Sequence, residues 1–189
     1  PDSYPLLVYL YLAPSVFDEF DIPASAGDGM PLATEPYVAL IDLIFEVVES
    51  NFSRRALVAL LESPHCAFVD GRNGPLERHS IQALDARLRE SYFHGGRDEL
   101  AKRLSTWTDA GREPLKALPA LRCALAVAEE LEAMCSAQSV SEHISKLRQF
   151  LNDNSSVVSD TTKNNKEVVV RNLVSDGLKD FQEAFHSET

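Results

Sequence analysis

The sequence predicts an all-α fold, an irregular multi-helix domain of about seven helices with a small mixed N-terminal edge. Three observations predict it. Apolar residues recur at three- and four-residue spacing in one segment after another. Turn signals rich in Gly, Pro and Asn separate those segments. Strand-like sequence is confined to the first residues, and no internal repeat is visible. With 189 residues, 44% of them hydrophobic and 25% charged, the chain can bury a real core in one or two domains.

Taken in order, "LLVYLYL" reads as a buried strand or the start of a helix, its length and aromatic content favouring a strand. "APSVFDEFDIP" reads as a short helix closed by Ile22-Pro23, "ASAGDGM" as a loop, and "PLATEP" as the approach to a new helix start. From Tyr37 to about Glu49, Leu40, Ile41, Ile44, Phe45 and Val48 form an apolar stripe. In "SRRALVALLESPHC", Ser53 caps, Arg54 and Arg55 occupy the first turn, Ala56, Leu57, Leu60 and Leu61 share a face, and Ser63-Pro64 stops the helix. Asp70-Gly71 and Asn73-Gly74-Pro75 mark a small hairpin or an irregular connection. Ile81, Leu84 and Leu88 lie at helical spacing and end near "FHGG", where paired glycines suit a C-cap. Leu100, Leu104 and Trp107 mark the next helix. Pro114 and Pro119 frame a long one with Leu121, Leu125, Ala128, Leu131 and Cys135 facing inward. Ser139 to Glu142 is a capping box opening a helix with Val140, Ile144, Leu147 and Leu151 on one side. "NDNSSVVSDTTKNNK" is a polar connection, and a last helix presents Val170, Val174, Leu178, Phe181 and Phe185.

The net charge of −11 is unevenly spread. Residues 1–53 carry nine acidic and no basic side chains, and the following stretch to residue 116 carries a small basic surplus. A phosphate-binding module normally shows a basic excess, so weak, salt-sensitive duplex binding is expected of the chain alone. Arg54, Arg55, Arg87, Arg89 and Arg97 are the candidate DNA or inter-domain contacts, with solvated helix surface as the plainer reading of the same residues. No phosphate-loop or dinucleotide motif appears; "HGGRDEL" lacks the Lys-Ser/Thr pair. The histidines at 65, 79, 94, 143 and 186 lack a second His or Cys at zinc-site spacing, and His65-Cys66 is the nearest approach to a nucleophile pair. Cys66, Cys123 and Cys135, odd in number and without CxxC spacing, read as buried, reduced thiols of a cytosolic protein. No apolar run reaches the eighteen or so residues of a membrane span, so no membrane partner is expected. No catalytic, cofactor-binding or metal-ligating residue is assigned.

The order of segments is more specific than any one residue. "FDEFDIP", "PLATEP", an apolar helix, "NFSRRALVALLESPHC", a Gly/Asn loop, "SIQALDARLRES" and "GGRDELAKRLSTW" follow one another in a succession that resembles the AddB-type helicase-like subunits of bacterial double-strand-break repair, of the UvrD/RecB class. "LEAMCSAQSVSEHISKLRQFL" is similar to the helix pair inside that family's inserted 2B-like region. The resemblance spans residues 15 to 151, anchored by Ile22-Pro23, Pro31-Leu32, Pro36, Arg55, Leu60-Leu61, Ser63-Pro64, Leu84 and Trp107. The ATP-binding loop, the acidic motor motif and the nuclease motif of a complete member are absent from this sequence.

The resemblance, together with the polar composition after residue 151 and the apolar spacing of the last segment, implies a division of the chain. Residues 1–35 are the remnant of a motor-domain edge and connecting loop, 36–151 a helical 2B-like domain, 152–166 a polar linker and 167–189 a C-terminal helix. The chain, beginning at Pro1, is expected to be a piece of something longer. Its implied role is that of a non-catalytic accessory domain in an ATP-dependent DNA helicase/exonuclease, a hydrolase of the bacterial cytoplasm acting in repair and recombination. ATP and Mg²⁺ belong to the parent, not to this segment. The implied partners are the motor domains of the same parent chain, duplex DNA through that parent, and a partner helicase-nuclease subunit. From outside that family, a free-standing acidic helical protein-protein interaction module and a small helical enzyme remain as alternatives.

Overall fold

The computed structural model describes residues 35–69, 74–109, 116–137, 139–156 and 165–186. The expected N-terminal edge, the Asp70-Gly71 turn, Pro114 and most of the polar connection lie outside them. The described residues form seven helices and no strand: α1 Pro36–Glu49, α2 Arg54–Leu61, α3 Arg78–Glu90, α4 Arg97–Asp109, α5 Leu118–Cys135, α6 Val140–Asp153 and α7 Asn165–His186. The fold is all-α, as the apolar periodicity predicts.

The helices pack as a closed circuit. α1 meets α2, α2 meets α3, α3 meets α5, α5 meets α6, α6 meets α7, and α7 returns to α1, with α4 laid on α5. One core runs through all of them, from Ile44 and Val47 through Leu57, Leu60, Leu84, Leu88 and Leu100 to Leu121, Leu131, Leu147, Val170 and Val174. α5 is the central element: nine of its eighteen residues are buried. Four of these nine are alanine or cysteine, small enough to let neighbouring helices approach closely.

The caps explain where several helices begin. The Ser53 hydroxyl accepts from Ala56 N–H and opens α2, and the Ser139 hydroxyl accepts from Glu142 N–H and opens α6. α5 has no local side-chain cap, since Ala117 occupies that position. Ser80, buried on α3, supplies the function from a distance. Its hydroxyl accepts from Ala120 N–H at 3.2 Å and donates to the Lys116 carbonyl at 2.6 Å.

Several sequence expectations shift in the structure. α1 turns Tyr37, Leu40, Ile44 and Val47 inward, leaving Phe45 44% exposed and Ile41 and Val48 at the margin. Asp42, Glu46 and Glu49 fall on one face of α1, so Phe45 among them turns outward and the opposite arc is buried. Cys135 is exposed at the last turn of α5, where Leu131 and Met134 take the inward positions; Cys123 is the buried thiol and Cys66 is half-buried. Val140, at the first position of α6, and Phe181, in the last third of α7, are also exposed.

The paired glycines do not cap α3. The left-handed residue there is Tyr92, at φ 49°, while the Phe93 N–H returns to the Leu88 carbonyl at 2.9 Å. Gly95 and Gly96 serve a different contact. The α1–α2 turn places Asn51 and Phe52 in consecutive left-handed conformations, at φ 53° and 59°. Gly96 N–H donates to the Asn51 carbonyl at 2.7 Å, an approach that Gly95 permits by lacking a side chain. The 70–73 connection is flanked by a single β-bridge between Val69 and Pro75, with Leu76 N–H donating to the Phe68 carbonyl at 2.8 Å.

Candidate functional site

The five arginines singled out in the sequence do not converge on one face for one ligand. Arg54, at the first position of α2, forms an ion pair with Asp85 on α3. Arg89, one turn beyond Asp85, engages the other carboxylate oxygen at 2.8 Å. Asp85 thus sits between two guanidiniums and ties α2 to α3. Arg97 opens α4 and spans to α5, meeting Asp98 at 2.7 Å and Glu132 at 2.9 Å. The Asp98 hydrogen bond, then the Glu132 charge, hold Arg97 above the ordinary arginine value. Arg87 lies 3.6 Å from Glu90 on the exposed side of α3. Arg55 is exposed at the second position of α2 and makes no ion pair among the described residues. Pairs at or near the surface are screened by water and salt, so they orient helices more than they hold them.

A second polar group is built where α7 closes the circuit. α6 ends at Asp153, and the following turn lies beside the segment after α2. Ala67 N–H donates to the Asn154 carbonyl at 2.9 Å, Ser156 N–H to the His65 carbonyl at 3.1 Å, and Cys66 bridges to Ser155. The α7 side chains Glu167 and Arg171, one turn apart, dock onto this junction. Arg171 donates to the Ser155 hydroxyl, to the Ser156 carbonyl at 2.8 Å and hydroxyl at 2.9 Å, and to Glu167 at 2.7 Å. Its guanidinium also lies over the Tyr37 ring, 5.0 Å from the centroid. His65 Nδ1 lies 3.0 Å from the same Glu167 oxygen, with its ring edge-to-face on Tyr37.

The electrostatics follow from that geometry. Burial pushes Glu167 upward, but hydrogen bonds from His65 and Arg171 and the guanidinium charge outweigh it and leave the carboxyl below its ordinary value. Burial pushes the Cys66 thiol up to about 11 against a hydrogen bond to Ser63. A thiol so placed stays protonated at neutral pH and is a poor nucleophile, while the neighbouring His65 is engaged by Glu167 rather than by sulfur. Burial likewise raises Tyr37, opposed by Arg171. The junction is therefore suited to holding helices in register.

Sequence reasoning passed over this junction. The local trace was present in "NKEVVVRNLV": a Glu–Arg pair at i, i+4, with the arginine set beside two core positions, Val170 and Val174. Nothing local connects it to His65 or Ser155.

Among the described residues, no three His, Cys, Asp or Glu side chains gather closely enough to hold a metal ion. No described helix is long and apolar enough to cross a membrane. Comparison of the chain with protein-family models, with curated proteins and with solved structures finds no match in any of the three.

Proposed function

We propose that the helical body is a non-catalytic accessory domain of an ATP-dependent DNA helicase/exonuclease, bracing motor domains elsewhere in the same parent chain during double-strand-break repair. The observation that supports this best is the conduct of α2 and its neighbours. Leu57, Leu60 and Leu61 are buried, Pro64 follows the end of the helix, and the ion pairs of Arg54 with Asp85 and of Arg97 with Glu132 join helices to one another. Arg55, an anchor of the family resemblance, remains exposed beside them. A stiff body with one outward guanidinium on its short helix suits a domain that moves as a unit against a motor and touches a phosphate or an inter-domain carboxylate.

Fluorescence anisotropy with duplex DNA and an ATPase assay on the purified chain test the proposal. The expected result is binding no tighter than roughly 10⁻⁴–10⁻⁶ M at physiological salt, the non-specific range. Arg55→Glu is expected to weaken it and to reduce the salt slope by about one. ATP turnover by the purified chain would remove the accessory-domain reading.

One observation favours the protein-protein interaction module instead. Asp42, Phe45, Glu46 and Glu49 are all exposed, at spacings that place them on one face of α1, an acidic strip around an aromatic ring. Such a strip suits a basic amphipathic helix of a partner. Loss of partner binding on Phe45→Ser with duplex binding unchanged favours this second reading.

A further inference from the structure

A cleft of about 190 Å³ opens between α6 and α7, beneath the polar junction. Its polar wall is made by Arg148, Asn152, Ser155, Arg171, Asn172 and Ser175. Tyr37, Leu151, Val174 and Leu178 make the apolar wall opposite, and among the described residues no Asp or Glu lines the cleft. The two arginines differ in what remains to be satisfied. Arg171 has hydrogen-bond partners on all three of its nitrogens, including Glu167, which balances its charge. Arg148 makes one hydrogen bond, from Nη1 to the Gln182 side-chain oxygen at 3.0 Å. Its Nε is buried without a partner, and no carboxylate pairs with it among the described residues. A half-buried guanidinium without a counter-charge is costly to hold, and buried N–H groups in proteins are nearly always satisfied.

We propose that this cleft binds a small oxyanion, a phosphoryl or carboxylate group, with the Arg148 guanidinium as its principal counter-charge and Asn152, Asn172 and Ser175 as neutral donors around it. The volume argues for the group rather than for a whole nucleotide. It holds several waters, each needing about 30 Å³, but is below the roughly 300 Å³ at which drug-sized pockets begin. A guanidinium suits such oxyanions, and with Nη1 held by Gln182 and Nε enclosed, Nη2 is the Arg148 nitrogen left to donate to one. The inference rests on the Arg148 guanidinium and the cleft between α6 and α7, and not on the accessory-domain reading, whose support lies in α2 and its neighbours.

The test is thermal unfolding of the full chain titrated with inorganic phosphate, and separately with acetate, at ionic strength held constant with potassium chloride. A saturable rise in Tm above the chloride control is expected with at least one of them, and which one responds identifies the phosphoryl or carboxylate source. Arg148→Gln is expected to weaken the response at least tenfold, while Arg122→Gln, at an exposed site on α5, leaves it intact. Asn172→Asp, an exposed position on α7, sets a carboxylate at the rim and is expected to abolish the response; it serves as the decisive variant if Arg148→Gln fails to fold. No rise with either anion, or an undiminished rise in the folded variants, overturns the proposal.

Discussion

Gly95 and Gly177 should answer the same substitution in opposite ways, because their surroundings differ while the added methyl does not. At Gly95, with φ at +141°, a Cβ would stand 2.5 Å from the Asn51 carbonyl oxygen, a backbone atom that cannot swing aside. Gly95→Ala is expected to lose about 2 kcal/mol or more in urea unfolding, from strain and from opening the α1–α2 turn. At Gly177, within α7, the same Cβ meets nothing within 4 Å. Gly177→Ala should gain about 0.5–1 kcal/mol by lowering the entropy of the unfolded chain. Similar losses at both sites would show that the 94–96 loop does not brace the turn. At the same scale, Glu167 predicts an acid limb. Its folded-state value lies below the ordinary 4.5, so its contribution is fully present above that pH and disappears as pH falls through the lowered value. Glu167→Gln should therefore be less stable than the native chain at neutral pH, with the difference shrinking as pH drops below about 4.5. A difference that stays constant down to about pH 2 would mean that the carboxylate gains nothing from His65 and Arg171.

At the scale of elements, α5 tests whether a cap can act from another helix. Ser80 is 2% exposed and satisfies both an orphan amide of α5 and the Lys116 carbonyl. Ser80→Ala should cost about 1–2 kcal/mol, as a lost N-cap does, although the residue lies near the start of a different helix. Leu121→Ala, at a fully buried site on α5, sets the upper reference at about 2–5 kcal/mol. A neutral Ser80→Ala in chemical denaturation would mean that water replaces the hydroxyl. This scale is also where the sequence was most legible. Periodicity located α2, α3 and α6 with their inward residues, Val140 excepted, and Ser53 and Ser139 announced the starts of α2 and α6, because those signals act within a turn or two. What neighbours decide was hidden. The position of Phe45 was misjudged against the acidic face of Asp42, Glu46 and Glu49, and the exposure of Cys135 was hidden because Leu131 and Met134 take the inward positions there. The candidate arginines were visible as residues, but their partners were not: Asp85 lies 31 positions from Arg54.

The molecule as a whole depends on a closure that no single segment encodes. Six helices follow one another around the core, and the last contact, α7 on α1, completes the circuit, with His65 after α2 meeting Glu167 of α7 about a hundred positions away. Closing so long a loop has an entropic cost that grows slowly with length, so the contacts at the seam must offset it together. Val170 and Val174 supply buried apolar area, and Arg171 supplies direction by engaging the turn after α6, Tyr37 of α1 and Glu167 at once. Arg171→Met keeps most of the side-chain volume while removing the fork of donors. It should destabilise the chain by about 2–4 kcal/mol and leave the Ser155 and Ser156 partners unsatisfied. Arg171→Lys should recover little, because an ammonium cannot serve Ser155, Ser156 and Glu167 from one planar group. Hydrogen exchange distinguishes this from a general weakening. Amides of α7 should lose protection first and most, those of the α6 C-terminus next, and those of α5 only as far as global stability falls. Equal loss across α5 and α7 would place the seam elsewhere and make α7 an integral part of the core.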